Sequence, residues 1–311
     1  MQRIRAFAPA TVANLGVGFD ILGLAVDGLG DFVTVEMSSH PGVEVVEITG
    51  DEGKLPRTPE KNTAAIAAQS VLKHLRASTG IRLWLNKGLP LASGLGSSAA
   101  SAVAAAVATN VLFGETMTRE DLLPAVLDAE EAVSGRHADN VAPALLGGIV
   151  LITGHTPAEI HRLPIPEGLY LSLVTPDVEV PTAKARAVLP EVIPLKALVH
   201  QTGVVAELIH ALHVGNIHLL ARSMQRDTVV EPARASLIPF LKEAKEVAYR
   251  SGALATVISG SGPTLCSLCL TSTDAEAVNL AIAAFYKDEN IGATAHATTP
   301  SATGASIVEA L

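Results

Sequence analysis

From Pro90 to Ser101 the chain reads PLASGLGSSAAS, where three small-residue features coincide. Gly94 and Gly96 free the backbone to take positive φ and to approach a ligand closely. Ser97 and Ser98 can each cap a helix or hydrogen-bond an anion. The following AASAVAAAVATNVLF contains neither Pro nor Gly and predicts a helix running to Gly114. A glycine loop feeding a helix N-terminus presents unpaired N–H groups and the positive end of the helix dipole. It is therefore an anion site, and phosphate is the anion it suits. The G-x-x-x-x-G-K-[ST] loop is excluded, because no lysine lies between Lys87 and Lys184. Gly94 to Ala99 also matches G-x-G-x-x-[GA], with Glu115 about 20 residues further on. Glu115 nevertheless comes straight off the helix, with no room for a second strand. The ordinary alternative is a tight turn into a buried helix.

Several other stretches carry candidate chemistry. Between Pro9 and Asp20, a strand ending in Pro leads to Asn14, two glycines and Asp20. A carboxylate pairs with an ammonium and an amide bonds a hydroxyl or carboxylate, which suits an amino-acid ligand. Such loops also commonly satisfy their own backbone. Asp128, Glu130 and Glu131 lie on one helix; most such acids form a solvated face, but one can serve Mg²⁺ beside nucleotide oxygens. His137-Ala-Asp139-Asn140 follows, where Asp139 or Asn140 can also cap a helix. Arg186, beside Thr182, and Arg234 each sit near a Pro-marked boundary. A guanidinium fork fits a carboxylate or a phosphoryl group, although a lone surface Arg is more often a salt bridge. The glycine turn Ser259–Thr264 reads as support for the site. His200, His210, His213 and His218 read as helix surface, without an acidic partner at metal-site spacing.

These residues resemble the GHMP small-molecule kinases. That family's phosphate loop, P-x-x-x-G-L-G-S-S-A, is matched by Pro90, Gly94, Leu95, Gly96, Ser97, Ser98 and Ala99. Matches run in family order from Pro9 to Thr264, nearly the whole chain. The resemblance implies ATP cradled by Pro90, Leu91, Ala92, Ser93, Gly94, Leu95, Gly96, Ser97, Ser98, Ala99 and Ala100, with Asn62 near the base. It implies Mg²⁺ on Ser97 and Glu130; the spacing to His137 is one residue short, which leaves Glu131 as an alternative. The N-L-G-x-G-F-D loop is similar to the branch that phosphorylates L-homoserine. That implies substrate contacts at Asn14, Asp20, His137, Asn140, Thr182, Arg186 and Arg234, with Asn140 and Arg186 catalytic. Other members carry an Asp base where this chain has Asn140, and the adjacent Asp139 should project differently. The rate is then expected from alignment and charge neutralisation, with Asn140 orienting the hydroxyl. The implied reaction is ATP-dependent formation of O-phospho-L-homoserine, on the way to threonine. Family members are often homodimers. Two alternatives stand beside it: a GHMP kinase for another alcohol, and a catalytically silent binding module on the same fold. The Asn14/Asp20 pair with two arginines favours a zwitterionic substrate, and the intact loop with Ser97 and Glu130 favours an enzyme.

The elements that must hold these residues are expected as strands at 4–8, ending at Pro9, and at 32–37, 43–48, 81–85 and 149–153. Further strands are expected at 170–174, 254–258, 266–270 and 294–298. Helices are expected at 62–75, 119–133, 196–213, 237–250 and 275–286, besides the one behind the glycine loop. The irregular alternation predicts an α+β protein with two layers per domain. The resemblance implies a ribosomal-S5-like N-terminal domain and a ferredoxin-like C-terminal domain with ATP between them. The Pro- and Gly-rich stretch 154–168 marks the boundary, giving domains 1–154 and 155–311, although it also suits a hairpin connection. At 311 residues, 49% hydrophobic and 17% charged, the chain has material for two cores. A net charge of −9 without a basic run argues against nucleic acid. No signal-peptide pattern or bilayer-length apolar run appears, which points away from membrane and toward the cytoplasm. Cys266 and Cys269, three apart on an expected strand, face opposite ways and read as buried thiols.

Overall fold

The computed structural model describes residues 3–310. In chain order the elements begin with β1 (Arg3–Ala13), β2 (Leu22–Ser38), β3 (Val43–Thr49), α1 (Thr63–His74) and β4 (Gly80–Asn86). Next come α2 (Ser97–Leu112), α3 (Leu123–Glu131), α4 (Ala138–Leu146), β5 (Ile149–Ile152), β6 (Ile160–Leu163) and β7 (Tyr170–Pro176). Five helices follow: α5 (Thr182–Ala187), α6 (Leu195–His213), α7 (Ile217–Met224), α8 (Val230–Arg234) and α9 (Leu241–Arg250). The chain closes with β8 (Ala255–Ile258), β9 (Leu265–Cys269), α10 (Ser272–Asp288), β10 (Ala293–Thr298) and β11 (Ser306–Ala310).

Two sheets organise these elements. The first has seven strands along the path β11-β1-β2-β4-β3, with β5 and β6 branching from β2. Helix α2 packs on β1 and β2 with α1, α3 and α4 around it. All but two of its sixteen residues are buried, and its core face is almost entirely Ala and Val. Small side chains let neighbouring backbones close in, which is why so few aromatics suffice. The second sheet is antiparallel in the order β10-β7-β9-β8, covered by α9 and α10. Its succession β7, helices, β8, β9, α10, β10 is the βαββαβ ferredoxin-like pattern, with five helices in the first crossover. The α+β expectation and both domain types are met.

The sheets do not divide at 154/155. Strand β6, inside the stretch expected as a boundary, pairs with β5, and β11 returns to pair with β1. The first sheet is thus completed by residues from both sides of that line. Strand β1 does not end at Pro9 either. It continues to Ala13 after a register shift between Pro9 and Thr11, where the missing proline N–H interrupts the ladder. Residues 22–30, Gly-rich and not anticipated as strand, form the first half of β2; β11 and the short helices α4, α5, α7 and α8 were also unanticipated. Cys266 and Cys269 behave as expected: one faces each core, and burial pushes both thiols up to about 12. No helix among the described residues is long and apolar enough to cross a membrane.

A buried ion pair ties the two ends of the glycine loop. Asp31 of β2 meets Lys87 at the end of β4, and both side chains are almost wholly enclosed. The Lys87 ammonium also donates to the Ser97 carbonyl at 2.8 Å and the Ser101 hydroxyl at 2.9 Å. The Asp31 carboxylate accepts from the Gly88 and Leu89 amides and from Ser101. Burial lowers the Lys87 pKa, and Asp31 opposes that shift. Removing one partner strands the other charge, so Lys87→Met should cost about 3–5 kcal/mol of stability. Adding Asp31→Asn should recover part of it. Urea unfolding of the two variants checks this; a single variant within about 1 kcal/mol of the parent would remove the pair from the scaffold.

Candidate active site

One cleft of about 390 Å³ collects most of the sequence-predicted residues between the two sheets. Its phosphate end is the loop before α2. Gly94 and Gly96 both take positive φ, at 80° and 66°. A Cβ on Gly94 would lie 2.4 Å from the Ser259 carbonyl, and one on Gly96 would lie 2.0 Å from the Thr11 hydroxyl. No side chain caps α2, whose first internal bond is from the Ala100 amide to the Gly96 carbonyl. The amides of Ser97, Ser98 and Ala99 thus precede the first intrahelical donor and form the dipole's positive end. The turn Ser259–Thr264 abuts the loop as expected: Ser259 donates to the Gly94 carbonyl at 2.7 Å and Thr264 to the Ser93 carbonyl at 2.6 Å.

Not every residue of the predicted cradle faces the cleft. Leu91, Ala92, Ser93, Gly94, Gly96, Ser97 and Ser98 line it, whereas Pro90, Leu95, Ala99 and Ala100 do not. Leu95, Ala99 and Ala100 are buried in the core beneath the loop. Asn62 lines the cleft, but its amide caps α1 at the Ala65 N–H and donates to the Pro56 carbonyl. It holds the 56–62 turn that walls the cleft.

The acidic helix α3 resolves clearly. Glu131 and Asp128 face solvent and pair with Arg136. Glu130 is buried at the cleft, and burial pushes its carboxyl above the usual range against hydrogen bonds from Ser134 and Ser98. The Ser98 hydroxyl donates to it at 3.2 Å. The hydroxyl that meets Glu130 is thus that of Ser98, whereas the resemblance implied Ser97 beside it. Ser97 and Ser98 open α2, where successive residues turn by about 100°, and the Ser97 hydroxyl points back toward the Leu89 carbonyl. A carboxylate with a hydroxyl beside an uncapped helix end is a donor set suited to Mg²⁺.

The other end of the cleft carries charge of both signs. Arg186 of α5 makes a bidentate pair with Asp20, at 2.8 and 3.1 Å, and its Nε is buried without a partner. Arg234 of α8 is buried and donates to the carbonyls of Ala185 and Gly260. Both guanidinium groups lie over the Phe19 ring, at 5.5 and 5.1 Å. Phe19 sits inside the quoted N-L-G-x-G-F-D motif, yet its role as a platform was not anticipated. Asn14 lines the cleft, and its amide accepts from the Asp20 N–H and donates to the Gly260 carbonyl, joining the two loops. His137 precedes α4, with Nδ1 3.7 Å from Asp20; burial and Arg186 lower its pKa against the opposing pull of Asp20. Thr182 opens α5 on the cleft wall. Asp139 and Asn140 lie inside α4 and cap nothing. Burial, with Asp20 and Glu130 nearby, pushes the Asp139 carboxyl up to about 7. Asn140 faces the cleft beside Gly96.

Comparison with known proteins bears on this cleft. Residues 62–148 match the family model of the GHMP kinases N terminal domain, and residues 208–288 that of the GHMP kinases C terminal domain. A homoserine kinase of Arabidopsis thaliana is 45% identical over 84% of this chain and 72% of its own. One of Xylella fastidiosa is 38% identical over 99% of this chain and 94% of its own. The crystal structure of homoserine kinase from Cytophaga hutchinsonii superposes with a TM-score of 0.94 at 43% identity, covering 98% of this chain and 97% of that one. A mevalonate kinase of L. major, at 18% identity and a TM-score of 0.73, shares the fold. The chain belongs to the homoserine kinases of the GHMP kinase family.

Proposed function

We propose that the cleft transfers the γ-phosphoryl group of ATP to the side-chain hydroxyl of L-homoserine, giving ADP and O-phospho-L-homoserine on the route to threonine. The observation that carries the reading is one cleft with an uncapped helix N-terminus at one end and an Asp20–Arg186 pair at the other. The first suits a polyphosphate. The second suits a zwitterion, whose carboxylate takes a guanidinium and whose ammonium takes Asp20. Sugars and mevalonate carry no ammonium to satisfy that carboxylate.

Glu130 and Ser98 are the residues that would hold Mg²⁺, and the fit is chemical. One carboxylate and one hydroxyl leave the remaining positions for phosphate oxygens and water. Bound there, the ion neutralises charge on the β- and γ-phosphates. The helix amides hold the phosphates in place, and Arg186 and Arg234 bear on the substrate carboxylate or the transferring group. Asn140 orients the attacking hydroxyl. One O–P bond forms as the bond from Pγ to the β-phosphate oxygen breaks, and the hydroxyl proton passes to an oxygen of the transferred phosphoryl group. Asn140 has no basicity to accept that proton. A loose transition state needs alignment and charge neutralisation more than a strong nucleophile.

ADP release should respond to L-homoserine and not to mevalonate or galactose. Removing the ammonium (4-hydroxybutanoate) or the carboxylate (3-aminopropan-1-ol) should each lower kcat/KM on the order of 10–100-fold, the worth of a charge-assisted hydrogen bond. Equal turnover of homoserine and either analogue would sink the zwitterion reading. Ser98→Ala should raise the Mg²⁺ concentration for half-maximal rate about tenfold and Ser97→Ala far less; a larger shift for Ser97→Ala than for Ser98→Ala would return the metal to Ser97.

The raised Asp139 carboxyl gives a stability signature. Its folded pKa exceeds the ordinary 3.8, so its contribution is complete below pH 4 and is lost as pH rises toward 7. Asp139→Asn should therefore match the parent near pH 4 and melt at a higher temperature at pH 8. A gap between the two melting curves that does not widen with pH would refute this.

A further inference from the structure

The side chain hydrogen-bonded to the amide of Asn140 is one that the proposed reaction does not use. Thr11 lies on β1 just after the register shift and is 1% exposed. Its hydroxyl donates to Asn140 Oδ1 at 2.7 Å. Its own amide donates to the Leu95 carbonyl at 3.0 Å, which ties β1 to the phosphate loop one residue before Gly96. A side chain on Gly96 would collide with the Thr11 hydroxyl and come within 2.9 Å of Asn140 Oδ1. Three elements thus converge on one point: a buried strand, the end of the phosphate loop and the first turn of α4.

An asparagine amide is a two-ended group, with an acceptor at one end and donors at the other. Left alone it turns about its last bond. A threonine hydroxyl has one proton to donate, and here that proton is on Oδ1. With Oδ1 held against the buried strand, the Nδ2 end turns to the cleft that Asn140 lines. From there it can donate only to a lone pair of the substrate hydroxyl oxygen. That leaves the hydroxyl proton directed away from Asn140 and a second lone pair free for attack.

We propose that Thr11 is a positioning residue for phosphoryl transfer: its hydroxyl fixes the Asn140 amide so that Nδ2 faces the attacking oxygen. The proposal rests on the kinase reading of the cleft. Thr11 touches neither nucleotide nor amino acid, so its effect falls on the geometry of attack and not on binding. Small errors of placement at a reacting centre cost up to about 100-fold in rate.

The experiment is steady-state kinetics of the full-length protein with L-homoserine and MgATP, for Thr11→Val, Thr11→Ser and Thr11→Ala, and for Asn140→Ala alone and combined with Thr11→Val. Thr11→Val keeps the shape of the buried side chain and removes the donor. Its kcat should fall about tenfold or more while both KM values stay within about twofold. Thr11→Ser should recover most of the rate, and Thr11→Ala should behave as Thr11→Val, which keeps the test available if valine disturbs the strand. The double variant should be no slower than Asn140→Ala, because the two residues act as one unit. A Thr11→Val kcat within about threefold of the parent overturns the proposal. So does a Thr11→Ser as slow as Thr11→Val, a loss confined to KM, or additive losses in the double variant. Absence of homoserine-dependent turnover in the parent would instead remove the kinase reading itself.

Discussion

The site depends on the ends of a glycine-rich loop being held still. Residues 88–97 would cost considerable entropy to order if left free, since glycines restrict the unfolded backbone least. Asp31 and Lys87 fix that segment before any ligand arrives. The carboxylate takes the amides of Gly88 and Leu89 at the loop's start, and the ammonium takes the Ser97 carbonyl at its end. The second sheet fixes the middle, through Ser259 on Gly94 and Thr264 on Ser93. Both units therefore contribute to one loop, and the helix amides are oriented in the free protein. Donors that need no reorganisation at the moment of reaction are the ones that stabilise developing charge best.

The same economy governs the charges. A protein of net charge −9 must handle a polyanion with positive groups placed locally. Lys87 is not free for that purpose, because its donors are engaged by Asp31, Ser97 and Ser101. The other positive groups on the cleft are the α2 N-terminus, Lys61, Arg186 and Arg234. Without a ligand, Arg186 is neutralised by Asp20. Both side chains in that pair remain over a quarter exposed, so the pair itself is worth little and is readily exchanged. A zwitterion offers each partner an equivalent contact. Arg234 differs: it is buried, anchored to two carbonyls and stacked on Phe19, so its position is fixed by the fold.

Much of this was legible in the sequence, for identifiable reasons. The loop and α2 announce themselves through glycine, serine and an alanine run, because local geometry dictates those residue types. The acid at 130 was distinguishable from its neighbours only by resemblance. Burial then separates it from Glu131, whose Arg136 partner five residues on could have hinted at a solvated face. What could not be read was whether a polar side chain spends itself on backbone or on ligand. Asn14 and Asn62 occupy the cleft wall yet satisfy loops and a helix end, the ordinary behaviour of asparagine. Asp31 and Lys87 were missed because their partnership spans 56 residues and no short motif contains both. Strand β11 was missed for a similar reason, since its pairing with β1 joins the two termini of the chain.

Asp139 and Asn140 show how helix phase divides labour between adjacent residues. One residue's step on α4 leaves Asp139 buried in the cleft wall and Asn140 partly exposed in the cleft. The carboxyl sits among Asp20 and Glu130 with its pKa near neutrality, while the amide stands at the corner made by Thr11 and Gly96. A carboxylate in the Asn140 position would add a fourth acid to that group and push the Glu130 and Asp139 carboxyls further up. It would also lose the two hydrogen-bond donors of the amide. With an amide there, the corner presents no titratable group to the substrate, and what remains to promote the reaction is distance, direction and the neutralisation of phosphate charge. That is consistent with so much of the surrounding structure being devoted to holding backbone in place: the chemistry asks the protein for position, and the fold supplies it through buried polar contacts between segments far apart in sequence.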